Sequence, residues 1–373
     1  MSEPPGERIW QASSWPGFRY DRDALAAVIS QARLAQGGLL GRASALDTRE
    51  LPLTLQDVWA EEAVATAAIE GESLDPAAVR LSVARRLGLS PASTAEVPRK
   101  VEALLDVMDD AATHFASDLT EERLGRWRAA LSSAAAGSMR SGAPAPAPPA
   151  GQVSRFLAWF NGTRDVSPAD GLARAGIAHA WFGAIHPDRH GGGQISCAIV
   201  AMALAQDARA PSRLLGMAGR MQADQAGYIE ATKQVRCGTG DLTPWLTWFV
   251  GTFAESCRAT SRLIDESLAR GRYWSEHRSI GINERQRKAL NRMLEAGPGR
   301  FEGGMTVRKY RSITNTTRVT ASRDLARLGQ VGLLARQGAG RSTFYNLPIT
   351  GWAWVPAAAR RRPAGALALE SRS

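Results

Sequence analysis

Apolar residues recur at three- and four-residue steps along most of the first 280 residues, which is the periodicity of amphipathic helices. One such segment contains Leu55, Val58 and Trp59, and Gly71 is placed where a helix of that register would end. Further segments of the same kind follow, without the pattern of a parallel sheet. The sequence predicts an all-helical body for this part of the chain.

The pattern changes after Asn283. Three helical segments are followed by an alternating stretch that turns on Gly338 and Gly340, as a hairpin does. In the third helix we place Val319 on the same face as Leu325 and Leu328. Three helices and a hairpin predict the winged form of the helix-turn-helix.

These patterns divide the chain into four predicted parts, and the fold class is mainly α, with a small α+β domain near the end. A helical region covers residues 1–95, a helical domain 96–280, a winged helix 281–350, and a disordered basic tail 351–373. The alternating Pro and Ala of Ser141–Gly151 favour an extended path, so we expect a linker or surface strap there.

Charge separates the last quarter of the chain from the rest. Residues 281–373 contain 17 Lys and Arg against 5 Asp and Glu, a net charge of +12, whereas the preceding residues carry a net charge of −2. This asymmetry indicates a polyanion as partner, with a solvated basic surface as the alternative. The candidate DNA contacts lie in the third helix and the hairpin: Thr317, Arg318, Ser322, Arg323 and Arg341.

The sequence also indicates in which cellular compartment the protein is located. No apolar run approaches the roughly 20 residues of a membrane helix, and the amino terminus lacks the features of a signal peptide, so we expect a cytoplasmic protein without membrane contact. The three cysteines lack CxxC spacing, which argues against a zinc knuckle. The apolar helices are compatible with a homodimer, although no residue specifies one.

One short stretch carries candidate chemistry. His186 precedes Gly191, Gly192 and Gly193, which lead into an apolar helix beginning near Gln194. Glycines at a helix amino terminus let backbone N–H groups approach a phosphate, and a nearby histidine can act as a base. A metal site and a simple structural turn are the alternatives. The histidine spacing does not match a known metal motif, so no metal site is predicted.

These residues resemble the Fic (filamentation induced by cAMP) family. The stretch "IHPDRHGGGQISC" is similar to a degenerate Fic motif, His-Pro-Phe-x-(Asp/Glu)-Gly-Asn-Gly-(Arg/Lys)-x-x-Arg. The stretch "TAAIEG", Thr66 to Gly71, resembles the inhibitory helix that one class carries on its amino-terminal side, and many members end in a winged helix.

The resemblance implies an enzyme that transfers AMP from ATP, with Mg²⁺, to a hydroxyl of a protein substrate. It implies that His186 is the catalytic base, that Gly191 to Gln194 bind the nucleotide, and that Glu70 is the inhibitory glutamate. The second hypothesis is a non-catalytic Fic scaffold that acts as a winged-helix DNA-binding regulator.

The sequence departs from the family motif at five positions. His190 replaces the carboxylate that binds Mg²⁺ and is a poor ligand for that ion. Gln194 and Cys197 replace the two arginines, Gly192 replaces the asparagine, and Asp188 replaces the phenylalanine. We therefore expect transfer to be weak or lost. We also expect Glu70 to have no partner, because Cys197 stands where the inhibitory arginine would be.

Overall fold

The computed structural model describes residues 15–46, 50–89, 95–134, 150–165, 169–185, 191–237 and 240–355. The chain forms two compact units, unit 1 from Met1 to Ile264 and unit 2 from Asp265 to Ser373. Their boundary lies inside a single helix, Thr243–Glu276.

Unit 1 is built from helices throughout its described residues, which confirms the prediction of a mainly helical fold. In chain order the helices are α1 (Arg22–Ala43), α2 (Glu50–Ile69), α3 (Pro76–Arg86), α4 (Arg99–Thr113), α5 (Glu121–Ala134), α6 (Gln152–Gly162), α7 (Gly171–Ile185), α8 (Gly192–Ala208), α9 (Ala218–Ala223), α10 (Gln225–Cys237) and α11 (Thr243–Glu276).

Local signals set several of the helix ends. Asp75 caps α3 by accepting a hydrogen bond from the Ala77 N–H at 3.0 Å, with Pro76 at the first helical position. Thr120 accepts from the Arg123 N–H at 3.1 Å at the start of α5. Helix α2 ends at Ile69, and Gly71 has a positive φ of 75°.

The pair α7 and α8 forms the centre of unit 1. Both helices are buried along most of their length, which agrees with their continuous apolar sequence. A glycine permits the close approach of α11: a Cβ at Gly176 would lie 2.7 Å from Leu246, and the Trp245 Nε1–H donates to the Gly176 carbonyl at 2.9 Å. This packing holds α7 closely against α11.

Unit 2 continues with three helices and a pair of strands. They are α12 (Glu284–Ala296), α13 (Val307–Thr314), α14 (Arg318–Gln330), β1 (Ala335–Gln337) and β2 (Phe344–Asn346). The strands are antiparallel, with Arg336 opposite Tyr345. A capping box at Asn283 and Gln286 begins α12. Leu290, Tyr310 and Leu325 are fully buried in the core of this unit.

Two details of the sequence prediction for unit 2 are wrong. Val319 is 69% exposed, whereas Leu325 and Leu328 are buried. Val319 and Leu325 are six residues apart, which places their side chains about 120° apart around the helix, so the two do not share a face. Trp352, which we expected in a disordered tail, is buried, and its carbonyl accepts a hydrogen bond from the Gly299 N–H at 3.3 Å. Its large apolar ring favours burial.

No helix in the described residues is long and apolar enough to cross a membrane. The Pro and Ala strap falls outside the described residues except at its end, where Gly151 has φ 83° and precedes α6. The expected tail beyond Val355 also lies outside them.

Candidate functional site

The site is built around the amino terminus of α8. Gly191 has a left-handed backbone with φ 79° and precedes the helix, while Gly192 and Gly193 form its first turn. Helix α5 covers this end, because a Cβ at Gly191 would lie 3.3 Å from Leu131. The first N–H groups of a helix carry partial positive charge and favour an anion.

A carboxylate already occupies this anion position. The Gly193 N–H donates a hydrogen bond to Glu70 Oε1, and the Glu70 side chain is half-buried. The space beside Gly193 is correspondingly small, because a Cβ there would lie 2.5 Å from Glu70 Oε1 and 3.4 Å from Ile69 Cγ2. Glu70 follows directly after α2, so the end of α2 delivers the carboxylate to the start of α8.

This contact corrects the expectation that Glu70 would have no partner. The missing arginine does not release the glutamate, because the backbone at Gly193 supplies the donor. The contact requires glycine at position 193, because a Cβ there would lie 2.5 Å from Glu70 Oε1, but the sequence does not signal that Glu70 is the partner of this glycine. Hydrogen bonds from a helix amino terminus to a carboxylate are charge-assisted and therefore strong.

The replaced arginine positions carry no positive charge in this structure. Gln194 is buried, with an exposed fraction of 3%. Burial and the negative charges of Glu62 and Glu70 raise the pKa of the Cys197 thiol well above its usual range, so the thiol stays protonated. Neither of these two positions therefore adds to the partial positive charge of the α8 amino terminus.

Sequence reasoning missed a second carboxylate next to the site. Glu62 accepts backbone hydrogen bonds from Met217 and Ala218, both at 2.8 Å, and thereby holds the start of α9 against α2. Burial raises the pKa of Glu62, and the backbone donors of α9 oppose that rise. Glu62 and Cys197 line a cavity of about 20 Å³, enough for one water molecule. Nothing local to Glu62 in the sequence indicates these distant partners.

The proposed catalytic base lies outside the described residues. His186, Asp188 and His190 all fall between α7 and α8 in the undescribed range 186–190, so their roles remain predictions. The more distant His179 is described and buried. Its ring stacks on Trp245 with centroids 5.4 Å apart, and its Nε2 lies 3.1 Å from the Tyr228 hydroxyl.

A magnesium site has no support from the chemistry of the available donors. The described residues contain no group of three His, Cys, Asp or Glu side chains able to hold a metal ion. In the undescribed loop, His190 stands at the position of the family carboxylate, and imidazole does not suit Mg²⁺. The start of α8 holds a carboxylate, which is the kind of anion that backbone N–H groups at a helix amino terminus favour.

Three of the five candidate DNA contacts lie together on one helix. Arg318, Ser322 and Arg323 are exposed on α14. Thr317 is exposed too, but it is the N-cap of α14 and its hydroxyl accepts from the Thr320 N–H at 3.2 Å. Arg341 lies between β1 and β2, and its side chain is outside the described part of the chain.

Comparisons with known proteins cover different parts of the chain. Residues 8–89 match a domain of unknown function, DUF4172. The chain is similar to a solved Fic family protein from Desulfovibrio desulfuricans, with 16% identity, TM-score 0.47 and coverage of 88% of this chain and 96% of that one. It is also similar to a Fic domain-containing signaling protein from Bacteroides thetaiotaomicron, with 14% identity, TM-score 0.45 and coverage of 65% and 98%.

No curated protein sequence matches the chain.

Proposed function

We propose that unit 1 is a Fic-type nucleotide-binding unit held closed by Glu70. The observation that supports this proposal is the hydrogen bond from the Gly193 N–H to the Glu70 carboxylate. In this bond an N–H group at the start of α8 donates to a carboxylate of the chain itself, which supports a site suited to anions. When Glu70 withdraws, the same N–H groups are available to a phosphate of ATP.

The proposal includes a low rate of AMP transfer. His186 would accept the proton of the attacking protein hydroxyl, whose oxygen would bond to the α-phosphorus of ATP while the bond to the β-phosphate breaks and pyrophosphate leaves. The glycines would hold the phosphates. Gln194 and Cys197 add no charge to stabilise the transition state, however. Removal of one such donor typically lowers a rate by about 10²- to 10³-fold, and an arginine can be worth more.

Removal of the Glu70 carboxylate should open the site. We expect Glu70→Ala to bind ATP about tenfold more tightly or better than the unchanged chain, because a carboxylate no longer competes for the Gly193 N–H. Titration calorimetry with ATP measures this. Glu72→Ala is the matched control, since Glu72 lies two residues further on and should leave ATP binding unchanged.

The two readouts separate binding from chemistry. If neither the unchanged chain nor Glu70→Ala binds ATP at millimolar concentration, the nucleotide site is refuted. If Glu70→Ala binds ATP, incubation with labelled ATP tests transfer. Label that forms with Glu70→Ala and disappears on adding His186→Ala supports an enzyme, whereas binding without label supports a scaffold.

We propose DNA binding by unit 2 as a second function. The supporting observation is that Arg318 and Arg323 are exposed on the same helix, within a region of the chain whose net charge is +12. The order of three helices and an antiparallel strand pair suits a winged helix, with α14 as its recognition helix.

Salt dependence tests this second function. We expect binding to duplex DNA to weaken as salt rises, because each protein cation that contacts a phosphate releases a counterion. Arg318→Ala with Arg323→Ala should reduce the slope of log K against log[salt] by about two. The control is Arg80→Ala with Arg126→Ala, which removes the same charge from unit 1. Equal slopes for both double variants would refute α14 as the contact.

A further inference from the structure

An apolar residue, Val319, lies on the solvent-exposed face of α14. Val319 is 69% exposed, and nine residues of helix place it about 180° from Leu328, which is buried. Val319 is also the second residue of the helix, just after the N-cap Thr317. It therefore projects away from the core of unit 2. It also lies at the amino-terminal end of α14, and this is the end at which a recognition helix contacts the bases.

The surroundings of Val319 are polar and basic. Arg318, Ser322 and Arg323 are exposed on the same half of the helix, and Ala326 lies two turns further along the same line. All of α14 is described, and its one acidic residue, Asp324, is buried. The exposed face thus combines positive edges with a small apolar centre.

This combination matches one feature of duplex DNA. The major groove offers phosphates along both edges, and on its floor the 5-methyl group of thymine is the apolar element. Exposure of a valine side chain to water is unfavourable, and contact with a methyl group removes apolar surface of both groups from water. A purely electrostatic surface would not need a branched apolar residue at its centre.

We propose that Val319 contacts the 5-methyl group of a thymine, so that the preferred site contains an A·T pair beneath the first turn of α14. This inference rests on the DNA binding proposed above for unit 2. The positive edges supply complementarity to DNA, and Val319 supplies a preference for base sequence. A protein partner with an apolar pocket is the competing occupant.

The test removes the methyl group from the DNA. The full chain first selects a preferred duplex from a random pool, and each thymine of that duplex is then replaced by deoxyuridine, which keeps the hydrogen-bonding groups. We expect one replacement per binding site to weaken binding about three- to fivefold, because one methyl contact is lost. Fluorescence anisotropy measures the affinities.

Variants of Val319 assign the effect to this side chain. Val319→Ala should bind the thymine duplex about as weakly as the unchanged chain binds the deoxyuridine duplex, and it should no longer respond to the replacement. Val319→Thr has the same shape and one remaining methyl at the branch, so part of the response should persist. Both changes lie on an exposed face, where substitutions have small effects on folding.

Each outcome decides a different point. If binding depends on salt but no deoxyuridine replacement weakens it, or if Val319→Ala responds as the unchanged chain does, the thymine contact is wrong while DNA binding stands. If no duplex binds, or binding is independent of salt, the DNA function fails and the thymine contact with it. In that case Val319 would belong to the competing protein surface.

Discussion

Gly193→Ala is expected to destabilise the unchanged chain but to stabilise the Glu70→Ala variant. In the unchanged chain the added methyl would lie 2.5 Å from Glu70 Oε1 and would force the carboxylate away. A hydrogen bond to a charged group contributes about 1.5–3 kcal/mol. Replacing glycine by alanine in a helix increases stability by only about 0.5–1 kcal/mol. The net effect is therefore a loss of stability.

In the Glu70→Ala background there is no carboxylate to displace. Gly193→Ala should then stabilise by about 0.5–1 kcal/mol, because only the helix propensity remains. The double-mutant cycle should give a coupling energy of about 1.5–3 kcal/mol. Chemical denaturation of the four proteins, with hydrogen exchange of α8 amides to locate the change, provides the measurement.

Gly183 supplies the matched control for this cycle. It lies in α7, and a Cβ there would meet nothing within 4 Å. Gly183→Ala should therefore stabilise by the same small amount in both backgrounds. If Gly193→Ala behaves like Gly183→Ala, with no dependence on Glu70, the hydrogen bond does not hold the end of α2 to α8.

The same two variants distinguish removal of the Glu70 carboxylate from its displacement. Glu70→Ala frees the Gly193 N–H, whereas Gly193→Ala adds a methyl group 2.5 Å from the present position of Glu70 Oε1, where it would also obstruct a phosphate. We therefore attribute tighter ATP binding to the first variant alone. In the closed state the Gly193 N–H donates to Glu70, so this contact needs no arginine at position 197.

Local signals explain which parts of the fold could be predicted. The capping residues Asp75 and Asn283 begin helices because their side chains satisfy N–H groups only two or three residues away. Apolar periodicity likewise predicts helices without knowledge of their partners. Such information is contained in short segments, so one sequence is enough to recover it.

Contacts between distant segments could not be predicted in the same way. Glu62 binds the backbone more than 150 residues further along, and Leu131 covers Gly191 from another helix. These contacts follow from the packing of whole helices. Glu70 lies between the two cases, since its motif was visible although its partner Gly193 was not. Helical geometry does predict the exposed position of Val319, because nine residues of helix place it about 180° from the buried Leu328.

Asp324→Ala is expected to cause the largest loss of stability in unit 2. Asp324 is buried, accepts a hydrogen bond from Gln286 Nε2 at 3.0 Å and accepts another from the Tyr310 hydroxyl at 2.9 Å. Gln286 and Tyr310 are themselves fully buried, so neither can turn to water when the carboxylate is removed. The loss of a buried charged partner typically costs about 3–5 kcal/mol.

Smaller changes in the same network should give graded effects. Tyr310→Phe removes one donor and leaves Gln286 in place, so we expect a loss of about 1–2 kcal/mol. Ser322→Ala, on the exposed side of α14, should change stability by no more than about 0.5 kcal/mol. Hydrogen exchange of the amides in α12 to α14 measures all three in the full chain, independently of the unfolding of unit 1.

The order of these effects tests how unit 2 is held together. The side chains of Gln286 and Asn283 also form the capping box of α12, so loss of Asp324 should weaken protection at the start of α12 as well as in α14. A loss confined to α14, or one no larger than that of Tyr310→Phe, would contradict a shared network. Joint weakening would mean that this buried carboxylate fixes α14 relative to α12, and therefore fixes which face of α14 meets the solvent.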